Sequence, residues 1–328
     1  MKTKIYKKLI LSLGVFLFAC VSLLTTTFAW FSIAQDATVG DLSMSISGGQ
    51  ELLVSLDGVN FFDNLTKEEI QKAFGENVSI TNVTTTDLDV YHSSYSYDQL
   101  SLANKDYITF DLWFKTNDAL CNGLFLTNNL TPTYNYETAK NESLRGTYCF
   151  SQGVEYTNPV DFQYSESELR TANTKATYYA ADAMRIGIKE LNVDVVELNE
   201  VDTREELQKF IYDPSEDEER GFGSIYGALD LLKKRLDGSV TPPVNKPDTK
   251  YQLSMMEYNY YATSNASHCA TFQQGTDGNF YAKVRVSIWC EGWDADCLDG
   301  ILNDQVLVQL YFRCAVPYTE EQNFGFNY

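Results

Sequence analysis

Apolar residues at every second position are the feature that most constrains this chain. From Tyr107 to Lys115, Ile108, Phe110, Leu112 and Phe114 alternate with Thr109, Asp111 and Trp113, and a period of two places each set on one face of a strand. The first set defines a core face. The aromatic character of the second predicts that the other face is partly covered too. Alternation returns near the end, where Val306, Val308, Leu310 and Phe312 share one face of Gln305 to Cys314. Ser267 to Gln273 and Asn279 to Glu291 flank Gly275-Thr276-Asp277-Gly278, a hairpin signal, so three long strands in succession predict a meander. Helical signals are inserted among the strands rather than alternating with them. The expected fold is therefore mainly β, an antiparallel β-sandwich (jelly-roll-like) with a few inserted helices, and not a parallel sheet.

Other elements follow from local chemistry. Leu52 to Phe62 reads as a hairpin about Asp57-Gly58. Thr66 to Phe74 reads as a short helix, because Thr66 and Glu69 form a capping box, Ile70 and Phe74 share a face and Gly75 is a stop. Val78 to Thr84, Leu124 to Thr127, Thr177 to Leu191 and Val193 to Leu198 are further strands, with Met184, Ile186 and Ile188 facing one way and Arg185 and Lys189 the other. Arg204 to Tyr212 and Ser224 to Leu236 have amphipathic helical spacing; the second ends in Lys233, Lys234 and Arg235, where the helix dipole favours cations. The acidic run Asp213 to Glu219 predicts a solvated loop. Gly238 to Lys250, with Pro242, Pro243 and Pro247, predicts a linker. Residues 199–250 are thus expected as a helical insertion within a domain spanning 30–328.

The beginning of the chain sets its compartment. Lys2, Lys4, Lys7 and Lys8 precede an apolar run from Leu9 to Leu24, and Thr27-Phe28-Ala29 supplies small residues at the minus-three and minus-one positions, the layout of a secretory signal. Residues 1–29 are expected to be a signal peptide cleaved after Ala29. The alternative is a retained anchor, since Leu9 to Phe31 is long enough to cross a hydrocarbon core of roughly 30 Å as a helix. Leu17-Phe18-Ala19-Cys20 makes a poor lipoprotein box, because Phe18 is bulky and the apolar run continues past Cys20. Farther on, Leu42, Met44 and Ile46 alternate with Ser43 and Ser45 as in a half-buried strand.

A lysine-rich leader ending in Ala29-Trp30-Phe31, followed after a polar spacer by such a strand, resembles the exported bacterial proteins of the TasA/camelysin type. The resemblance covers Met1 to Ser47. It implies a jelly-roll matrix or fibre subunit whose N-terminal strand completes the sheet of the next subunit. Leu42, Met44 and Ile46 would then mark the assembly strand, with Trp30 to Thr38 as the alternative donor. The segment Ile288-Trp289-Cys290-Glu291-Gly292-Trp293-Asp294-Ala295-Asp296-Cys297 is similar to a strand end in exported proteins that carry the same leader.

Charge and cysteines narrow the partners. The formal net charge is −20, from 45 acids against 25 bases, and cleavage removes leader lysines but no acid. Such a chain repels phosphate backbones and anionic headgroups, which excludes nucleic acid and leaves only the N-terminal segment for membrane contact. Six cysteines follow the leader: Cys121, Cys149, Cys269, Cys290, Cys297 and Cys314. An even number in an exported chain fits disulfides, and buried free thiols are the alternative. Cys121 with Cys149 is the expected pair; they bracket a polar excursion, and closing that loop would contribute on the order of 3 kcal/mol.

No catalytic pattern is present in the sequence. Camelysin is described as a metalloprotease, yet His-Glu-x-x-His does not occur, and neither does Gly-x-Ser-x-Gly, a phosphate loop or a dinucleotide fingerprint. His92 and His268 lack a partner nearby in sequence, and no carboxylate pair stands out for glycosidic chemistry. Asp294, Asp296 and Asp299, before Gly300, have ligand-like spacing and are a calcium candidate, although the register is not that of an EF-hand. No other cofactor is expected. Trp289 and Trp293 raise a carbohydrate-binding adhesion module as the alternative function, since sugar rings stack on exposed aromatic faces. The leading expectation is a non-enzymatic cell-surface or extracellular matrix structural protein, associating with itself or with other surface proteins.

Overall fold

The computed structural model describes residues 35–46, 52–74, 79–94, 96–128, 135–137, 146–235, 240–257 and 261–319. Among these the chain is mainly β. The strands used below are β1 (Gln35–Ile46), β2 (Leu53–Ser55), β3 (Ser79–Thr84), β4 (Ile108–Thr116), β5 (Gly123–Leu126), β6 (Tyr148–Ser151), β7 (Met184–Leu191), β8 (Lys209–Tyr212), β9 (Thr249–Lys250), β10 (His268–Thr271), β11 (Phe280–Glu291) and β12 (Gln305–Ala315). The helices are α1 (Lys67–Phe74) and α2 (Ala228–Arg235).

Hydrogen bonds join these strands in the order β9-β8-β7-β11-β3-β1-β12-β5-β10, with β4 also on β11, β2 on β4 and β6 on β12. β11 is the axis of one wing. It runs antiparallel to β7, with Met184 opposite Cys290 and Leu191 opposite Lys283, and antiparallel to β4, with Ile108 opposite Ile288 and Thr116 opposite Phe280. β12 is the axis of the other wing, antiparallel to β6 and β5. β3 links the two: Ser79 to Thr81 pair with β1, and Asn82 and Val83 then run parallel to Cys290 and Glu291.

The alternating faces meet in one core. Phe110, Leu112 and Phe114 of β4, Val284, Val286 and Ile288 of β11, and Val306, Val308, Leu310 and Phe312 of β12 belong to a single buried cluster. The Phe114 and Phe312 rings lie 5.0 Å apart, one from each wing. A fully buried Leu, Ile, Val or Phe contributes about 1.5–3 kcal/mol relative to exposure, so this cluster dominates the favourable side of folding. The reverse face of the β7/β11 wing is covered as well, by Leu88, Tyr91, Tyr107, Ile211 and Trp289. A Cβ on Gly187 would stand 2.5 Å from Leu88 Cδ2 and 2.9 Å from Trp289 Cζ3, which accounts for glycine at that point of β7.

Locally encoded features are in place. Thr66 N donates to Glu69 Oε2 at 2.8 Å and Glu69 N to Thr66 Oγ1 at 3.3 Å, closing the capping box of α1. Gly58 has φ +72°, Asp57 accepts from Val59 N and Asn60 N, and Val54 pairs with Phe62. α2 ends in Lys233, Lys234 and Arg235.

Several expectations are corrected. β11 and β12 follow one another in sequence but lie in different wings with β3 and β1 between them, so no meander forms. Residues 209–212, expected to be helical, form β8, because Phe210, Ile211 and Tyr212 pair with Ile188, Gly187 and Ile186 in a sheet that outweighs helical spacing. Val193 to Leu198 makes only the isolated bridge of Leu198 to Gly275. A 3-10 turn at Ala180–Ala183 interrupts the expected long strand Thr177 to Leu191. Residues 199–250 supply β8, β9 and α2, so two of the three elements there are strands of the main sheet.

The disulfide differs too. Cys121 is bonded to Cys314 across 193 residues, whereas Cys149 is a buried free thiol. Pairing of Gly123 with Ala315 brings Cys121 beside the end of β12, while Cys149 sits farther along the same strand, opposite Val308. The leader readings fall outside the described residues. Among those described, no helix is long and apolar enough to cross a membrane.

Candidate functional site

The densest polar chemistry lies where the segment from Gly292 to Asp304 leaves β11. Antiparallel pairing of β7 with β8 sets Tyr212 opposite Ile186, so Asp213, the next residue, comes level with Arg185. Arg185 is 0% exposed. Its Nη2 lies 2.7 Å from Asp213 Oδ2 and also bonds Asp294 Oδ2, while Nη1 donates to Met184 O at 2.8 Å. Glu291 stands close by and accepts from Trp289 Nε1 and Trp293 N, both at 3.2 Å.

A second arginine takes the next carboxylate. Arg220 Nε donates to Asp296 Oδ2 at 2.9 Å, Nη2 donates to Asp296 Oδ1, and Nη1 reaches Tyr164 O. Its guanidinium lies 3.7 Å from the centre of the Tyr164 ring, whose hydroxyl donates to Asp296 Oδ1 at 3.2 Å. Arg235, from the last turn of α2, holds Asp299. α2 itself docks on this segment through Ala228 N to Ala295 O at 2.7 Å. Gly227, at φ +58°, permits this approach; a Cβ there would lie 2.1 Å from Ala295 O.

Asp294, Asp296 and Asp299, grouped by sequence as calcium donors, therefore go to three different arginines rather than to one point. Among the described residues no group of His, Cys, Asp or Glu converges as a metal site. Trp289 is fully buried and Trp293 is 9% exposed, so neither presents a face to a sugar. His268 stacks on Phe125 with ring centres 4.9 Å apart and its Nε2 lies 3.0 Å from Ala270 O, and burial holds its pKa low. Leu42, Met44 and Ile46 lie in β1 opposite Val308, Leu310 and Phe312 of the same chain.

Buried carboxyls outnumber the guanidiniums that face them. Burial raises Glu291 to about 7 against the pull of Arg185. Burial, reinforced by Asp296 and opposed by Arg220, raises Asp182 to about 7. Asp213 and Asp294 are also raised by burial despite Arg185. A carboxyl whose folded pKa is raised binds its proton more tightly when folded, so the stability it contributes is complete below about pH 4 and is lost as pH rises through about 7. Asp202, held low by hydrogen bonds from Arg204, acts in the opposite sense and its contribution is lost in acid. Stability is thus expected to peak in mildly acidic buffer and to fall between pH 5 and 8, by up to about 3 kcal/mol for each of Asp182 and Glu291. Urea midpoints across that range should fall for the natural chain and flatten in Asp182→Asn with Glu291→Gln. Parallel curves for both proteins would contradict the assignment.

Asp304 closes the segment as a clip. Its Oδ1 accepts from Gly153 N at 2.9 Å and Gln305 N at 2.8 Å, and its Oδ2 accepts from Ala180 N at 2.8 Å. A parallel arrangement ties Glu190, 1% exposed, to Arg204, Gln208 N and Thr271 N. The whole assembly cross-links segments distant in sequence, with Ser215 Oγ also donating to Asp213 Oδ1 at 2.7 Å. Sequence reasoning missed Arg185 because strand alternation put it opposite the core face. The cover expected on a second face concerns Tyr107 to Lys115, a different strand, so no signal in the sequence marked Arg185 as buried. No protein-family model, curated protein or solved structure matches the chain.

Proposed function

We propose that this chain is an exported, non-enzymatic structural protein of the cell surface or extracellular matrix, a β-sandwich of jelly-roll type whose strand Gln35–Ile46 completes the sheet of a neighbouring copy. The two wings with their shared core support the sandwich. The leader's resemblance to the TasA/camelysin type supports export and assembly.

The observation that carries the reading is the place of β1. It lies within the sheet, parallel to β12 from Thr38 opposite Gln305 to Ile46 opposite Phe312, while the other edge of β12 is already occupied by β6 and β5. Withdrawing β1 leaves unpaired the β12 backbone from Gln305 to Phe312 and the β3 backbone from Ser79 to Thr81, and the strand that fits both is the same strand of another copy. Ser47-Gly48-Gly49-Gln50-Glu51 stands between β1 and Leu52 in the sequence. The net charge of −20 opposes close approach of copies, so assembly strengthens as salt screens it.

A chain lacking residues 35–46 is expected to lose stability, to bind a synthetic Gln35–Ile46 peptide one to one and to recover stability on binding. The same peptide is expected to cap assembly of the intact chain in light scattering. A deletion variant as stable as the parent and indifferent to the peptide would overturn the reading.

A further inference from the structure

Among the described residues four cysteines stand outside the disulfide between Cys121 and Cys314, and they are not equivalent. Cys269 Sγ donates to Ser267 O at 3.4 Å, and burial raises the thiol of Cys149. Cys290 and Cys297 face each other, with Sγ atoms 3.6 Å apart and both residues buried. That is van der Waals contact, against about 2.05 Å for a bonded pair, so a bond requires the two sulfurs to approach by about 1.5 Å.

The segment between them is the one that carries the ionic site. Glu291, Asp294 and Asp296 all lie inside the loop that a bond from Cys290 to Cys297 would close. Cys290 is anchored on both sides, opposite Met184 of β7 and Asn82 of β3. Cys297 stands at the far end of the turn, where its N–H donates to Asp294 O at 3.2 Å. A cleft between α2 and the turn, lined by Leu231, Leu232, Arg235, Cys297 and Asp299, brings open space up to the Cys297 side of the pair.

We propose that Cys290 and Cys297 form a second disulfide, which staples the acidic turn to the end of β11 and holds Asp294 and Asp296 against Arg185 and Arg220. The oxidant is the disulfide of an exported thiol oxidoreductase or of a small thiol. One cysteine, as thiolate, attacks that disulfide and releases one thiol; the second, having given up its proton, attacks the mixed disulfide and releases the other. Two thiols are oxidised to one S–S bond, and the incoming S–S bond is reduced to two thiols. Contact with Cys290 and burial raise the Cys297 thiol, so exchange is fastest while the turn is still open during folding. The oxidising compartment rests on the export proposed above, but the geometry of the pair does not.

The test uses the full chain, unfolded in reductant, refolded in a glutathione redox buffer, denatured, alkylated and mapped by mass spectrometry without reduction. The expected map shows Cys121 linked to Cys314 and Cys290 linked to Cys297, with Cys149 and Cys269 alkylated. Cys149→Ser with Cys269→Ser should leave that map unchanged, and Cys290→Ala with Cys297→Ala should speed cleavage between residues 292 and 304 in limited proteolysis at least several-fold. Alkylation of both Cys290 and Cys297 in samples where the first disulfide has formed would overturn the proposal, as would either of them bonded elsewhere. Formation in glutathione buffer, combined with free thiols at both positions in protein taken directly from its source, would leave the pair established and count against export alone.

Discussion

Arg185→Met is expected to destabilise the chain by about 3–5 kcal/mol, the cost of removing one partner from a buried ion pair. Methionine fills much of the arginine's volume, so the loss is electrostatic rather than a cavity. Asp213, Asp294 and Glu291 would remain buried without the guanidinium that now faces them. They would respond by holding protons, so the deficit should be larger at pH 8 than at pH 5. Adding Asp213→Asn and Asp294→Asn to Arg185→Met should recover part of it, since a neutral site costs less than an unpaired charge. Urea unfolding at the two pH values measures both effects. A loss below about 1 kcal/mol that does not change with pH would contradict the burial argument.

The second large effect belongs to the disulfide. Cys121 and Cys314 are 193 residues apart, and the chain-entropy model assigns a loop of that size about 5 kcal/mol of denatured-state restriction. Cys121→Ser with Cys314→Ser is therefore expected to lower the melting temperature by on the order of 10 °C. Reductant should lower the parent towards the variant and leave the variant little changed. The expected site of loosening is the β5/β12 pairing next to the bond, where Gly123 lies opposite Ala315. A shift of about 2 °C or less would mean that the two strands hold without the bond.

What could be read from the sequence was what short-range chemistry decides. The alternation of Ile108 to Phe114 and of Val306 to Phe312 marks core faces because a strand's period is two wherever it lies. Thr66 with Glu69, and Asp57 with Gly58, define their cap and turn from within a few residues. Partnerships across the chain were not legible. β11 and β12 carry the patterning of neighbours, yet the acidic turn between them is drawn to Arg185, Arg220 and Arg235, and β12 is left to pair with β1. Asp213 begins what looks like a solvated acidic run, and only the β7/β8 register reveals that it meets Arg185. The polar excursion between Cys121 and Cys149 favours Cys149 over Cys314 as the partner of Cys121, and β-sheet register reverses that choice.

The proposed function turns on whether β1 occupies the sheet of its own chain or that of a neighbour. Leu42 and Val308 are opposite each other in the β1/β12 pairing, which allows a direct measurement with two singly substituted chains. Leu42→Cys and Val308→Cys proteins, mixed in equal amounts, allowed to assemble and then oxidised, should yield a disulfide-linked pair of chains on a non-reducing gel, with the junction mapping to positions 42 and 308. If strand donation does not occur, the mixture stays unlinked at every concentration, and only a chain carrying both substitutions closes the bond, within itself.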